Sequence, residues 1–160
     1  MGAHSNLGVY SDAQAIIADA ASTSTVDHSM TVNQYGVAAD QWLCIRTAVA
    51  PTAATDTLSI AFQTDADDGA GDPAGTWTTI FMPFCDAEGA EFLASVARLA
   101  TAGAWIWRAP LPMEMIERHT RLYYENTTST GTITIDAWIN DGPPQSDFDK
   151  QIYVSPVGNP

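Results

Sequence analysis

An all-β fold, a β-sandwich or jelly roll with extended N- and C-terminal arms, is predicted by three observations. The first is the stretch 118–140, RHTRLYYENTTSTGTITIDAWIN. Within it Ile133, Ile135, Ala137 and Ile139 share one face, and Thr132, Thr134, Asp136 and Trp138 share the other. Side chains in a strand alternate between faces with a period of two, so this pattern describes a half-buried strand. Arg121-Leu122-Tyr123-Tyr124-Glu125 alternates in the same way, and the polar Thr127–Gly131 between the two runs suits a hairpin loop. This hairpin is the expected centre of the domain. The second observation is a series of further short alternating runs separated by turn residues. The third is the lack of any regular strand–helix alternation, the mark of a parallel α/β sheet.

Residues 1–9 are small and polar without a period, as expected of an N-terminal arm. The domain itself is expected over 10–142. Its first part, 10–28, reads as extended chain: Ser11 ahead of an Ala-rich run has the character of a helix cap, but the small and β-branched residues from Ala20 to Thr25 would end such a helix. An irregular stretch follows around Tyr35-Gly36. Trp42–Ala48 is a strand closed by Pro51, because proline cannot donate to a ladder. Leu58, Ile60 and Phe62 alternate with Thr57, Ser59 and Ala61 in the next strand, and Asp65–Pro73 is a surface loop. Trp77, Thr79 and Phe81 alternate with Thr78, Ile80 and Met82 in another, stopped by Pro83. Over 86–100, Phe92, Leu93, Val96 and Leu99 have helical spacing, so a helix competes there with a single turn followed by a strand. Trp105–Trp107 is a short aromatic strand, and 111–116 is a connector carrying Pro112. Asp141-Gly142-Pro143-Pro144 closes the compact part, and 143–160 reads as a C-terminal tail or docking arm.

At 160 residues the chain is one domain by length, and 46% apolar residues suit a packed core. No apolar run approaches the roughly 20 residues that cross a bilayer, and the N-terminus lacks the basic start and apolar stretch of a secretory signal. Charge is the outlier. Nineteen acidic residues face six basic ones, giving a net charge of −13, and Lys150 is the only lysine. A nucleic-acid role is disfavoured, since phosphate binding depends on Lys and Arg. The acidity fits solubility, an acid-biased source proteome or, more sharply, a basic docking surface on a partner. Cys44 and Cys85 do not read as a disulfide framework without a secretion signal, nor as a zinc site without paired histidines; both are expected in the core.

Catalysis requires converging groups, and no nucleophile elbow, phosphate-binding loop, HExxH or dinucleotide-binding turn is present. His4, His28 and His119 are expected to be polar surface residues. Asp65, Asp67, Asp68 and Asp72 form the best metal candidate, because calcium takes six to eight oxygens. The EF-hand spacing fails, however, with Gly69 at the third ligand position and no glutamate at the twelfth, so a solvated turn is expected and no metal. Trp105, Trp107 and Trp138 raise the possibility of a sugar-stacking platform, set against core or subunit-contact roles. Asn126-Thr127-Thr128 matches a glycosylation acceptor, which has meaning only in a secreted chain.

Three stretches carry a resemblance to a known family. Tyr10-Ser11-Asp12-Ala13-Gln14-Ala15-Ile16 with Ala21-Ser22-Thr23 and Val26-Asp27 is the first, and Phe62-Gln63-Thr64-Asp65 is the second. Pro112, then Arg121-Leu122-Tyr123-Tyr124-Glu125 through Gly131-Thr132-Ile133-Thr134, is the third. In this order the chain resembles the capsid cement (decoration) proteins of tailed bacteriophages, the group typified by a short-tailed Bordetella phage. The resemblance spans roughly 10–140; the long acidic loop, Trp105, Trp107 and the tail after Asp141 have no counterpart in it. It implies a non-enzymatic jelly-roll protein without cofactor, made in the host cytoplasm and carried on the outer surface of the virion. Its partners would be the major capsid protein and itself, as homodimer or homotrimer, with neither nucleic acid nor membrane. Contacts are expected from the arms through Tyr10, Phe148, Tyr153 and Val154, with Arg118 and Arg121 as a basic cluster; being three apart, these two arginines would face opposite sides of one strand. The alternative expectation is a carbohydrate-binding β-sandwich.

Overall fold

The computed structural model describes residues 8–28, 41–49, 58–84, 102–126 and 132–141. They form nine strands: β1 (Val9–Ile16), β2 (Ala20–Ala21), β3 (Val26–Asp27), β4 (Gln41–Val49), β5 (Leu58–Asp65), β6 (Thr78–Phe84), β7 (Trp105–Pro110), β8 (His119–Asn126) and β9 (Ile133–Asp141). A 3-10 turn at Met113–Met115 is the only helical element among the described residues. Two antiparallel sheets pack face to face as a β-sandwich. The first has the order β1-β9-β4-β7, and the second the order β2-β8-β5-β6 with β3 also on β8. Only β5 to β6 stays within one sheet while adding a new neighbour; the other long connections cross between sheets. With β2 and β3 counted as one broken strand, this is the eight-strand order of a jelly roll.

The expected central hairpin does not form. β8 pairs with β5, β2 and β3, whereas β9 pairs with β1 and β4 in the opposite sheet. Both runs do have one apolar face, but they turn those faces toward each other across the core instead of lying side by side. Alternation specifies which face is buried and is silent about the neighbour. Each strand is nonetheless interior to its own sheet, so the stretch is central to the domain. The loop 127–131 and the competing helix over 86–100 fall outside the described residues.

The other strands follow their patterns. Leu43 and Ile45 of β4, with Ile133, Ile135 and Ala137 of β9, line one wall of the core. Ile60 and Phe62 of β5, with Leu122 and Tyr124 of β8, line the other. Each such large side chain contributes about 1.5–3 kcal/mol when fully buried. Cys44 is buried as expected. β6 runs on past Pro83 to Phe84, which is tolerable because β6 is an edge strand. β1 begins at Val9, one residue inside the expected arm, and Ile139 N–H donates to Gly8 O at 2.6 Å. Two register shifts break β1, and Ala13 adopts φ 49° beside them. Bulges of this kind blunt an edge strand against unwanted pairing.

Two tyrosines tie the sheets together through the core. Tyr10 OH of β1 lies 2.7 Å from Thr120 Oγ1 of β8, and Tyr124 OH of β8 lies 2.7 Å from Ser11 Oγ of β1. Burial pushes both phenols above the ordinary tyrosine range. Tyr10 also meets Phe62 edge-on at 6.1 Å; Phe62 stacks on Phe81 at 5.1 Å, and Phe81 meets Trp107 at a tilt at 5.8 Å. An aromatic file thus crosses the sandwich from β1 to the edge formed by β6 and β7.

Candidate functional site

The start of β8 gathers the charged residues singled out in the sequence. Arg118 immediately precedes the strand and forks onto Asp27 of β3, with Nε to Oδ1 at 3.1 Å and Nη2 to Oδ2 at 3.0 Å. Its Nη1 also donates to Asp67 Oδ2 in the acidic loop. A fork of this geometry is the strong form of a carboxylate pair. The hydrogen bonds to Asp27 raise the Arg118 pKa further, against the effect of partial burial. Arg118 is therefore a pin between β3 and the loop that follows β5.

The loop 66–77 is held by its own carboxylates. Asp67 Oδ1 accepts from Gly69 N–H at 2.8 Å and Gly71 N–H at 3.0 Å; Asp68 Oδ1 accepts from Ala70 N–H at 2.7 Å and Asp72 N–H at 3.2 Å. The Ala70 and Asp72 bonds keep the Asp68 pKa below the usual carboxylate range although burial opposes them. Asp65 is enclosed, and its carboxylate accepts from Gly75 N–H at 2.6 Å, Thr76 N–H at 3.1 Å and Thr76 Oγ1–H at 3.0 Å. Burial works against the Asp65 charge, yet these bonds outweigh it and hold its pKa low. Gly69, Gly71 and Gly75 all take positive φ, which asparagine and glycine accept and most residues do not. Asp65, Asp67 and Asp68 thus satisfy loop amides, and Asp72 is exposed. Among the described residues, no group of three or more His, Cys, Asp or Glu is placed to hold a metal ion.

Two expectations about histidine are corrected here. His28 and His119 are buried, at 7% and 3% exposure, because the short β3 lies directly on β8 and Asp27 pairs with His119. His28 N–H donates to Arg118 O at 2.7 Å, and His28 Nε2 lies 2.7 Å from Thr120 Oγ1, the hydroxyl that Tyr10 also reaches. Burial lowers the His28 pKa to about 4; Asp27 opposes that shift and His119 adds to it.

The predicted contact residues separate. Tyr10 is not an exposed anchor: it is fully enclosed in the core, because the bulges of β1 turn it inward. Arg121 lies on the outer face of the second sheet, its Nε 2.8 Å from Gln63 Oε1 and its guanidinium 4.2 Å from the Trp77 ring and 5.5 Å from Tyr123. Partial burial lowers its pKa. Phe148, Tyr153 and Val154 lie outside the described residues. On the first sheet, Trp138 is only 4% exposed despite its outward position, with Arg46 5.5 Å above it and Trp105 5.7 Å beside it. Arg46 in turn pairs with Asp136 at 3.3 Å, so Trp138 is not the open sugar platform its position in the strand suggested.

Sequence reading missed two features. One is the Trp77–Arg121–Tyr123 stack, of which only the two-residue spacing of Arg121 and Tyr123 was visible. The other is an apolar groove between β6 and β7, lined by Ile80, Phe81, Trp107, Pro110, Pro112 and Met115. The chain matches no family model, and no curated protein matches it in sequence.

Proposed function

We propose that this protein is a capsid cement protein of a tailed bacteriophage, acting without catalysis from the outer surface of the head. It would bind across major capsid protein subunits, as a homodimer or homotrimer, and hold the shell against the pressure of packaged DNA. The observation that carries this reading is how the three resembling stretches meet. Far apart in sequence, they pack as one unit: β2 and β3 pair with β8, the end of β5 pairs with β8, and β1 pairs with β9. Tyr10, Phe62 and Tyr124, one from each stretch, lie together in the core. The jelly-roll strand order is the one the resemblance implies. A net charge of −13 suits a part that avoids DNA, and many copies on one shell make modest contacts sufficient.

Co-sedimentation of the purified protein with expanded phage capsids stripped of their own cement protein tests the reading. Saturable binding at a fixed ratio to the major capsid protein, with a raised capsid melting temperature, is the expected result. A protein that stays in the supernatant at every ratio would overturn it.

A further inference from the structure

β6 and β7 are the edge strands of their sheets on the same side of the sandwich, and the aromatic file from Tyr10 ends between them at Trp107. The groove there has a volume of about 330 Å³ and a lining of apolar side chains. A second hollow of about 250 Å³ continues it, sharing Ile80 and Met115 and adding Thr64, Thr78, Thr79 and Glu117. One compartment is apolar; the other carries hydroxyls and a single carboxylate.

Two features of this site bear on what it would hold. Met115, at its mouth, is 57% exposed. Methionine is the flexible, polarizable side chain that suits an adaptable contact. Glu114 and Glu117 flank Met115, are exposed, and form no ion pair among the described residues, whereas Asp27, Asp67 and Asp136 are each paired with an arginine. The Glu117 backbone is fixed by its N–H donating to Thr64 Oγ1 at 2.8 Å, which holds the carboxylate beside the polar hollow. Pro83 and Pro110 interrupt the two edges, so a ligand would enter by its side chains and not by extending a sheet.

We propose that this groove docks an extended segment of a partner protein in which one large apolar side chain is flanked by arginine or lysine. The apolar side chain fills the compartment against Phe81 and Trp107, and the basic neighbours meet Glu117 and Glu114. Charge complementarity selects this occupant: the rim is acidic, as is the chain as a whole at −13. The inference stands on the groove itself and goes beyond the capsid reading, so either can fail without the other.

The test is titration of isotope-labelled protein with the capped peptide Gly-Ser-Arg-Phe-Arg-Ser-Gly, following the Trp107 indole resonance by NMR. Saturable movement of that resonance is expected. Exchanging both arginines of the peptide for glutamate should weaken binding by roughly tenfold or more, and exchanging Phe for Ser should abolish it. Glu117→Lys should reverse the charge preference and Met115→Asp should remove binding; both side chains are exposed, and unchanged resonances elsewhere would show the fold intact. An unmoved Trp107 resonance at millimolar peptide, or equal binding of the basic and acidic peptides, would overturn the proposal. A resonance that moves only when residues 142–160 are deleted would assign the groove to the chain's own C-terminal segment, and one that moves with protein concentration alone would assign it to a second copy; either result also overturns it.

Discussion

The corner at Arg118 and the edge at Trp107 solve opposite problems. At the corner, charges are dense but answered from within: Asp27 and Asp67 by Arg118, Asp65 by Gly75 and Thr76, and Asp68 by Ala70 and Asp72. At the edge, charges are few and the lining is apolar, yet the two rim carboxylates of Glu114 and Glu117 form no ion pair among the described residues. The contrast teaches that density of charge is a poor guide to function. A carboxylate cluster whose acceptors are used by its own loop behaves as structure, whereas unanswered groups around an open groove face outward.

The two regions are joined through Phe62, and its removal is the strongest way to break the contrast. Phe62→Ala should cost about 3–5 kcal/mol, because the residue is fully buried and links Tyr10 to Phe81. Urea unfolding followed by tryptophan fluorescence and by circular dichroism should shift together; separate transitions would show that corner and edge are independent units. Acid should act on the corner next. Between pH of about 6.5 and 4 the unfolded chain binds a proton at His28 that the folded chain does not, so stability falls as pH is lowered through that window. The loss is on the order of 2–3 kcal/mol by pH 4.5. His28→Gln should flatten the dependence in urea titrations between pH 7 and 4.5, and an unchanged slope would remove His28 from the account.

Smaller effects sharpen the picture. Tyr10→Phe deletes one inter-sheet hydrogen bond and leaves Thr120 its contact with His28, so a loss of about 1 kcal/mol in chemical denaturation is expected. Arg118→Gln should leave the unfolding midpoint nearly unchanged but speed amide exchange at Gly69 and Gly71, whose N–H groups rest on the Asp67 carboxylate that Arg118 steadies. Exchange that accelerates equally at Trp107 would mean the pin serves the whole molecule.

Much of the strand content was legible in the sequence because alternation reports burial directly. Leu58, Ile60 and Phe62 lie in the core as their spacing demands, and so do Ile133, Ile135 and Ala137. Partners were not legible. The polar 127–131 looked like a hairpin loop, yet a connection that crosses to the facing sheet has the same composition. Tyr10 looked like an arm residue because the β1 bulges break the period around it, and His28 and His119 looked exposed because their neighbours Asp27, Arg118 and Thr120 are polar. Their burial accompanies the pairing of β3 alongside β8, a long-range event that no local pattern records. The groove was invisible for a related reason: its walls come from β6, β7 and the turn after β7, and each contributes only two of the lining residues.

The position of β9 has a consequence in time. It lies between β1 and β4, so until residues 133–141 arrive the first sheet consists of a lone opening strand and a separate β4–β7 pair. β1 and β9 must find each other across more than a hundred intervening residues, and such non-local closure makes folding slow. On the ribosome, an emerging chain would carry the unshielded apolar faces of β4 and β5 until residues 133–141 follow them. Assembly of the sandwich is thus a late, single event, and truncation anywhere before Ile133 should yield an aggregating chain and not a smaller folded one.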